Sequence, residues 1–229
     1  MEFLTLDIGG VLLAIVIALV VIFLGLGIGW LLLGAMVAFL VLSAIVTWIG
    51  IRSKRRLGLG QGPRGIWNVL ANGMPPVIMV VLFYIFSRSS HGALAVLSVV
   101  GYLASVAGIT ADKFGSELGV LDGTPRMIFT FKKVKKGTSG GITGFGLLVG
   151  LIGSFAIALL APVFAGKAFF SGSSVLKALI VVTAAGFVGT IVDSALGYYE
   201  EKGIGNKFTS NFICGVVAGL VAMLLFAVL

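Results

Sequence analysis

The stretch Gly92–Gly119, GALAVLSVVGYLASVAGITADKFGSELG, decides how the whole chain is read. Residues 92–109 carry no charge, and an uncharged apolar run of this length reaches across most of the ~30 Å of hydrocarbon in a bilayer. The run then meets Asp112, Lys113 and Glu117 within a few residues. Charges beside a membrane are costly and tend to be retained for a task. The pattern is that of a membrane-crossing helix delivering acids to the bilayer surface.

Outward from this stretch the apolar signal repeats. The chain has 229 residues, 59% hydrophobic and 10% charged, with a mean hydropathy of +1.19, far from the composition of soluble globular proteins. Seven runs approach the roughly 20 residues a spanning helix needs: about 8–25, 28–50, 68–87, 92–109, 142–165, 174–193 and 208–228. Backbone polar groups in lipid must be satisfied within each segment, so the expected fold is an all-α, polytopic transmembrane bundle of about seven spans. Residues 1–229 are expected to form a single integral membrane domain. The longest polar interval, about 110–141, is too short to bury a core of its own and is expected to dock on the bundle as a cytoplasmic catalytic loop.

The first run lacks a basic leader and a small-residue cleavage site, and is read as a retained span. Gly25, Gly27 and Gly29 mark either a hairpin between spans one and two or a break in one long helix, the hairpin being favoured. The single Cys214 excludes an internal disulfide. One His and one Cys supply neither a His/Cys metal set nor a Ser/His/Asp triad.

The formal charge of +8 is unevenly placed. Arg52, Lys54, Arg55, Arg56 and Arg64 lie between spans two and three; Lys113, Arg126, Lys132, Lys133, Lys135 and Lys136 between four and five; Lys202 and Lys207 between six and seven. Only Arg88, Lys167 and Lys177 fall on the opposite side. The positive-inside rule then puts the basic loops and the N-terminus in the cytoplasm and the C-terminus outside. For Arg52 to Arg56, orientation and contact with anionic lipid are a sufficient account. No nucleic-acid partner is expected.

Two stripes of small residues at helical spacing each carry an acid. Gly101, Ala104, Gly108, Asp112, Ser116 and Gly119 form one; Gly186, Gly189, Asp193 and Gly197 form the other. Such stripes permit close helix approach, and the two are expected to face each other. Asp112, Glu117 and Asp193 are the expected ligands of a hard divalent cation, because Mg²⁺ is commonly held by one or two carboxylates plus phosphate oxygens and water. Residues 112 and 117 lie about 140° apart on an ideal helix, so both reach one ion only if the helix ends or bends near Gly115. The competing reading of Asp112 and Glu117 is an interhelical pair with a lysine, or a helix cap. Asp193 has no lysine within a turn.

Lys132, Lys133, Lys135 and Lys136 precede Gly137-Thr138-Ser139-Gly140-Gly141 at the start of the fifth span. Ammonium groups, hydroxyls and accessible backbone amides at a helix start suit phosphate. The spacing is not that of a P-loop, since the lysines precede the glycines. Alone, this is an ordinary topology anchor; with acids in the same interval, a nucleotide or diphosphate site becomes the better reading. Asn72 and Asn211 are candidate contacts for a base or ribose, and equally for interhelical hydrogen bonds.

Together, Ala111-Asp112 with Ser116-Glu117-Leu118-Gly119, Pro125-Arg126, Phe131-Lys132 with Val134 and the 137–141 turn, Val69 to Gly73, and Val192-Asp193-Ser194 with Leu196-Gly197 resemble the integral-membrane family once called domain of unknown function 92, in a prokaryotic-type member. That family includes plant phytyl-phosphate kinase and the animal transmembrane protein 19. The resemblance covers about residues 60 to 220. It implies phosphoryl transfer from a nucleoside triphosphate, preferably CTP, to an isoprenyl monophosphate such as phytyl or geranylgeranyl phosphate, giving the diphosphate and CDP with Mg²⁺ as cofactor. Lys113 stands where the family commonly has a small hydroxyl residue, and Asn68 where it commonly has Gln.

On this reading the expected catalytic residues are Asp112, Glu117, Asp193 and Lys132. Ser116, Lys133, the turn 137–141, Asn72 and Asn211 are expected at the nucleotide, Arg126 or Lys136 at the acceptor phosphate, and the isoprenyl tail in a groove open to membrane lipid. Two other classes use similar residues: a CTP-dependent lipid-phosphate cytidylyltransferase releasing pyrophosphate, and a non-enzymatic transporter of a polar or phosphorylated metabolite. Against the transporter, nearly all ionisable residues sit at the ends of spans.

Overall fold

The computed structural model describes residues 6–59, 65–165, 170 and 173–229; Arg64 and Lys167 lie outside the described residues. The helices are α1 (Ile8–Leu24), α2 (Gly29–Arg56), α3 (Ile66–Arg88), α4 (Gly92–Leu118), α5 (Gly144–Ala158), the short α6 (Ala161–Ala165), α7 (Ser173–Glu200) and α8 (Lys207–Val228). Two-residue strands, β1 (Arg126–Met127) and β2 (Gly141–Ile142), pair antiparallel. Among the described residues, six helical segments are long and apolar enough to cross a membrane, and Ile8–Leu24 is a shorter apolar helix. The chain is an all-α membrane bundle.

α4 is the central element, packed against α2, α3, α5, α7 and α8. Every residue from Ser98 to Ala111 is buried, the behaviour of a helix enclosed on all sides. The outer helices turn large apolar side chains outward, among them Leu12, Leu19, Phe23, Leu220 and Leu224. Facing lipid rather than water, these side chains carry no exposure cost. Polar bonds tie helices across the core: Tyr102 Oη donates to the Leu32 carbonyl at 2.8 Å, and Ser154 Oγ to the Thr183 carbonyl at 2.9 Å.

α1 and α2 form a hairpin. A 3-10 turn at Leu26–Ile28 joins them, and a Cβ on Gly29 would stand 2.2 Å from the Ile22 carbonyl oxygen; only glycine admits so close a return.

The helices carrying the small-residue stripes, α4 and α7, pack on each other, and both pack on α8. Cβ atoms added to Gly108 and Gly189 would both press on Ala218, at 2.9 and 3.0 Å. Gly186 meets α4, where a Cβ would fall 2.8 Å from that of Ala107. α8 inserts along both stripes because all three elements offer small residues there.

Asp112 lies in helix rather than loop, because α4 runs unbroken through Gly115 to Leu118. The interval 119–143 that follows holds a 3-10 turn at Gly119–Leu121, β1 and β2. Past Met127 the chain leaves β1: residues 128–130 turn, and Phe131 has φ 53.

All three basic segments meet at one end of the bundle. Lys54 of α2 reaches Glu117 of α4, Lys207 of α8 reaches Asp193 of α7, and the rings of Trp67 and Phe208 join the starts of α3 and α8 with centroids 5.7 Å apart.

Candidate functional site

Asp112 and Asp193 occupy equivalent depths. Each lies twenty residues from the far end of its helix, Gly92 in α4 and Ser173 in α7, about 30 Å along the axis. That distance matches the hydrocarbon thickness, so both carboxylates emerge where the basic segments gather.

Lys207, the first residue of α8, joins them. Its Nζ is 2.6 Å from Asp193 Oδ2 and 3.7 Å from Asp112 Oδ1. The lysine side chain is 49% exposed, whereas those of Asp112 and Asp193 are 14% and 7% exposed. One ammonium thus serves two nearly buried carboxylates. Asp193 Oδ1 remains buried without a hydrogen-bond partner, an acceptor in a position where desolvation costs free energy unless a donor or cation arrives.

The pair opens into a cavity of about 440 Å³ whose walls come from α2, α4, α5, α7, α8 and the 119–143 segment. Lys54, Lys136 and Lys207 contribute ammonium groups to it, Ser116, Thr138, Ser139, Thr143 and Ser194 hydroxyls, and Gly137, Gly140 and Gly141 bare backbone. Cations, hydroxyl donors and glycine backbone around two carboxylates make a chamber suited to a phosphorylated ligand.

The glycine turn is fastened to α7. Ser139 donates its backbone N–H to Glu201 Oε1 at 2.9 Å and its hydroxyl to Glu200 Oε2 at 2.5 Å, and Ser210 of α8 donates to the other oxygen of Glu200. Gly140 has φ 73, and a Cβ there would lie 2.5 Å from Tyr198 N. Gly197 is equally tight, with a Cβ 2.3 Å from Gly140 N. On the opposite wall, Thr143 caps α5 by accepting from Gly146 N at 2.9 Å.

Glu117 does not join the aspartates. Because α4 continues as regular helix, Glu117 turns to α2, where it is buried, accepts from Lys113, and pairs with Lys54 at 2.9 Å. The lysine-pair reading describes it. Among the described residues no group of three or more His, Cys, Asp or Glu side chains could hold a metal ion; the carboxylates brought together are two. Two still fit Mg²⁺ when phosphate oxygens and water complete its shell, and the unpartnered Asp193 Oδ1 is an oxygen donor of the right chemistry.

Of the other expected site residues, Ser116, Lys136 and the 137–141 turn line the cavity. Lys136 Nζ also donates to the Val120 carbonyl at 2.8 Å. Arg126, Lys132 and Lys133 are not at the cavity wall: they are exposed on the small hairpin, where Arg126 bonds the Phe131 carbonyl at 3.0 Å. Asn72 is bonded within its own helix, to the Asn68 carbonyl at 2.8 Å, and lies on an apolar cleft between α1, α2 and α3. Asn211 is buried on α8, its Oδ1 without a hydrogen-bond partner.

Lys207, Lys54, Glu200, Glu201 and Thr143 were not singled out by the sequence. Acids at the last turn of α7 oppose the helix dipole, and that was the available signal for Glu200. Lys207 follows Asp193 by fourteen positions and meets it only because α7 and α8 form an antiparallel hairpin.

A multi-span membrane protein with a polar, cation-lined chamber at one end is the class these features define. The chain belongs to the family described as integral membrane protein DUF92, whose model matches residues 2–210. It is similar to an uncharacterised membrane protein of Methanocaldococcus jannaschii, 35% identical over 196 residues, covering 85% of this chain and 76% of that one. It is also similar to Protein PGR of Arabidopsis thaliana, 33% identical over 177 residues, and to an uncharacterised membrane protein of Synechocystis, 27% identical over 173. These matches cover 71% and 74% of this chain, and 62% and 63% of those relatives. No solved structure matches.

Proposed function

We propose that this protein is a membrane-embedded isoprenyl-phosphate kinase that transfers the γ-phosphoryl group of CTP to a phytyl- or geranylgeranyl-type monophosphate. The observation that carries the reading is the convergence of Asp112 and Asp193, from separate helices, on Lys207 at the wall of a cavity lined by lysines and a fixed glycine turn. Phosphoryl transfer asks chiefly for positioning and charge neutralisation, and an isoprenyl monophosphate brings its own nucleophilic oxygen. That oxygen bonds to the γ-phosphorus as the bond to the β,γ-bridging oxygen breaks, leaving CDP and the isoprenyl diphosphate.

Each group in the cavity has a role in that reaction. With Ser139 fastening the turn to Glu200 and Glu201, the Thr138 hydroxyl and the bare glycine backbone of the turn are left for the triphosphate, while Lys136 supplies a cation near the turn. Asp112 and Asp193 are the residues that would hold Mg²⁺, whose chemistry when bound is to offset and orient phosphate charge. Lys207 offsets one of the two carboxylate charges. By the positive-inside rule the chamber end and N-terminus face the cytoplasm, where nucleotides are available.

The test uses purified protein with Mg²⁺, labelled CTP, ATP, GTP or UTP, and a panel of isoprenyl monophosphates. CDP and the isoprenyl diphosphate are the expected products. Release of pyrophosphate would instead identify a cytidylyltransferase, and flux of a phosphorylated metabolite into liposomes without nucleotide would identify a transporter. Asp112→Ala and Asp193→Ala are each expected to lower kcat/KM by at least about a hundredfold, the scale of losing a principal electrostatic group. Full activity in both would remove the proposed site.

A further inference from the structure

The apolar cleft between α1, α2 and α3 is separate from the chamber, and one helix serves both. α2 lines the cleft with Leu33, Met36, Leu40, Ser43 and Thr47 and lines the chamber with Lys54. Lys54 follows Thr47 by seven residues, hence about 10 Å further along and within roughly 20° of the same side of the helix. From Leu33 to Thr47 the cleft extends about 21 Å, with Asn68 and Asn72 at its chamber end.

The charge at that end is complementary to an anion. Lys54 and Lys113 share the single carboxylate of Glu117, so the trio is net positive. Glu117 fixes Lys54 Nζ at 2.9 Å, and a backbone contact holds α2 in place there: a Cβ on Gly50 would stand 2.7 Å from the Glu117 carbonyl oxygen. The cleft is walled by apolar helix faces, and the Lys54 ammonium belongs to the same side of α2 about 10 Å beyond the cleft's end. That arrangement suits a single hydrocarbon chain bearing one phosphate.

Resting on the kinase reading, we infer that the cleft between α1, α2 and α3 holds the isoprenyl chain of the acceptor, and that Lys54, positioned by Glu117, receives its phosphate. This moves the acceptor phosphate from Arg126, which the fold places on the exposed hairpin, or Lys136, which lines the chamber but bonds the Val120 carbonyl, to the end of α2. The polar tip of α2 thereby has a task beyond orienting the chain in the membrane.

Binding to the full chain in nanodiscs, without nucleotide, tests the assignment with labelled geranylgeranyl monophosphate, isopentenyl monophosphate and geranylgeraniol. Ala44→Phe and, from the other wall, Ala14→Phe are expected to lower the ratio of geranylgeranyl- to isopentenyl-monophosphate affinity about tenfold. Lys54→Gln is expected to weaken both monophosphates about tenfold, as for a lost charged hydrogen bond, and to leave the alcohol unchanged. An unchanged chain-length ratio in both filled variants, or equal losses for alcohol and phosphate in Lys54→Gln, would overturn the inference. Cleft-dependent binding without transfer from any nucleotide overturns the kinase reading alone. Transfer with an unaltered chain-length ratio overturns the cleft assignment alone.

Discussion

Lys207 and Glu117 each resolve a charge problem, in opposite ways. Lys207 is one cation shared by two carboxylates, and Glu117 one carboxylate shared by two cations. Removing one member of a buried ionic cluster leaves uncompensated charge and costs about 3 kcal/mol. Glu117→Gln is therefore expected to destabilise the protein measurably, read as a lower Tm in detergent, by bringing Lys54 and Lys113 together without their shared anion. Restoring stability in a Lys113→Met background would show that repulsion between the two lysines is the cause. The acids Asp112 and Asp193 were legible in the sequence because each interrupts a stripe of small residues. Their cation was not: no helical periodicity connects Lys207 to Asp112, nearly a hundred positions earlier, and the link exists only through packing. Glu117 joins Asp112 at one ion only if the helix ends or bends near Gly115, and α4 instead continues to Leu118.

At the scale of elements, the segment 119–143 is held as much by the absence of side chains as by bonds. Gly140 and Gly197 touch backbone to backbone, with Gly140 in a left-handed conformation that other residues adopt only with strain. Gly140→Ala is expected to lift the turn from α7, breaking the bonds from Ser139 to Glu200 and Glu201. Limited proteolysis should then cut within 119–143 at a faster rate while the helices stay intact, and nucleotide affinity should fall about tenfold or more. Equal proteolysis of variant and native protein would contradict the role given to this contact. Spans were readable because the length of an apolar run is set by bilayer thickness. The boundary of α4 was not, since Ala111 to Leu118 carries three charges yet is helical: Asp112 finds a partner on α8 and Glu117 one on α2 that a sequence does not display.

For the molecule as a whole, the gathering of the basic segments at one end makes a sidedness prediction. With the only native cysteine, Cys214, fully buried, single cysteines can be added to the native sequence. Gly123→Cys, between α4 and α5, and Gly203→Cys, between α7 and α8, are expected to react with an impermeant thiol reagent only from the cytoplasmic side. His91→Cys, between α3 and α4, is expected to react only from the other. Labelling of Gly123→Cys and His91→Cys from the same side would refute the alternating arrangement. The class of fold followed from composition alone, because a chain this apolar has few alternatives in lipid. The order of packing around α4 did not, since all the spans are hydrophobic and only the small residues hint at which meet.

The enclosure of α4 also bears on how the protein comes into being. Asp112 enters the membrane with the fourth helix, Asp193 arrives with the seventh, and the lysine that joins them heads the eighth. Until α8 is in place, the two carboxylates lack the Lys207 ammonium, and the stripes on α4 and α7 lack the surface they close upon. Assembly of the chamber therefore waits on α8, which brings both the countercharge for the two carboxylates and the small-residue surface against which the stripes close.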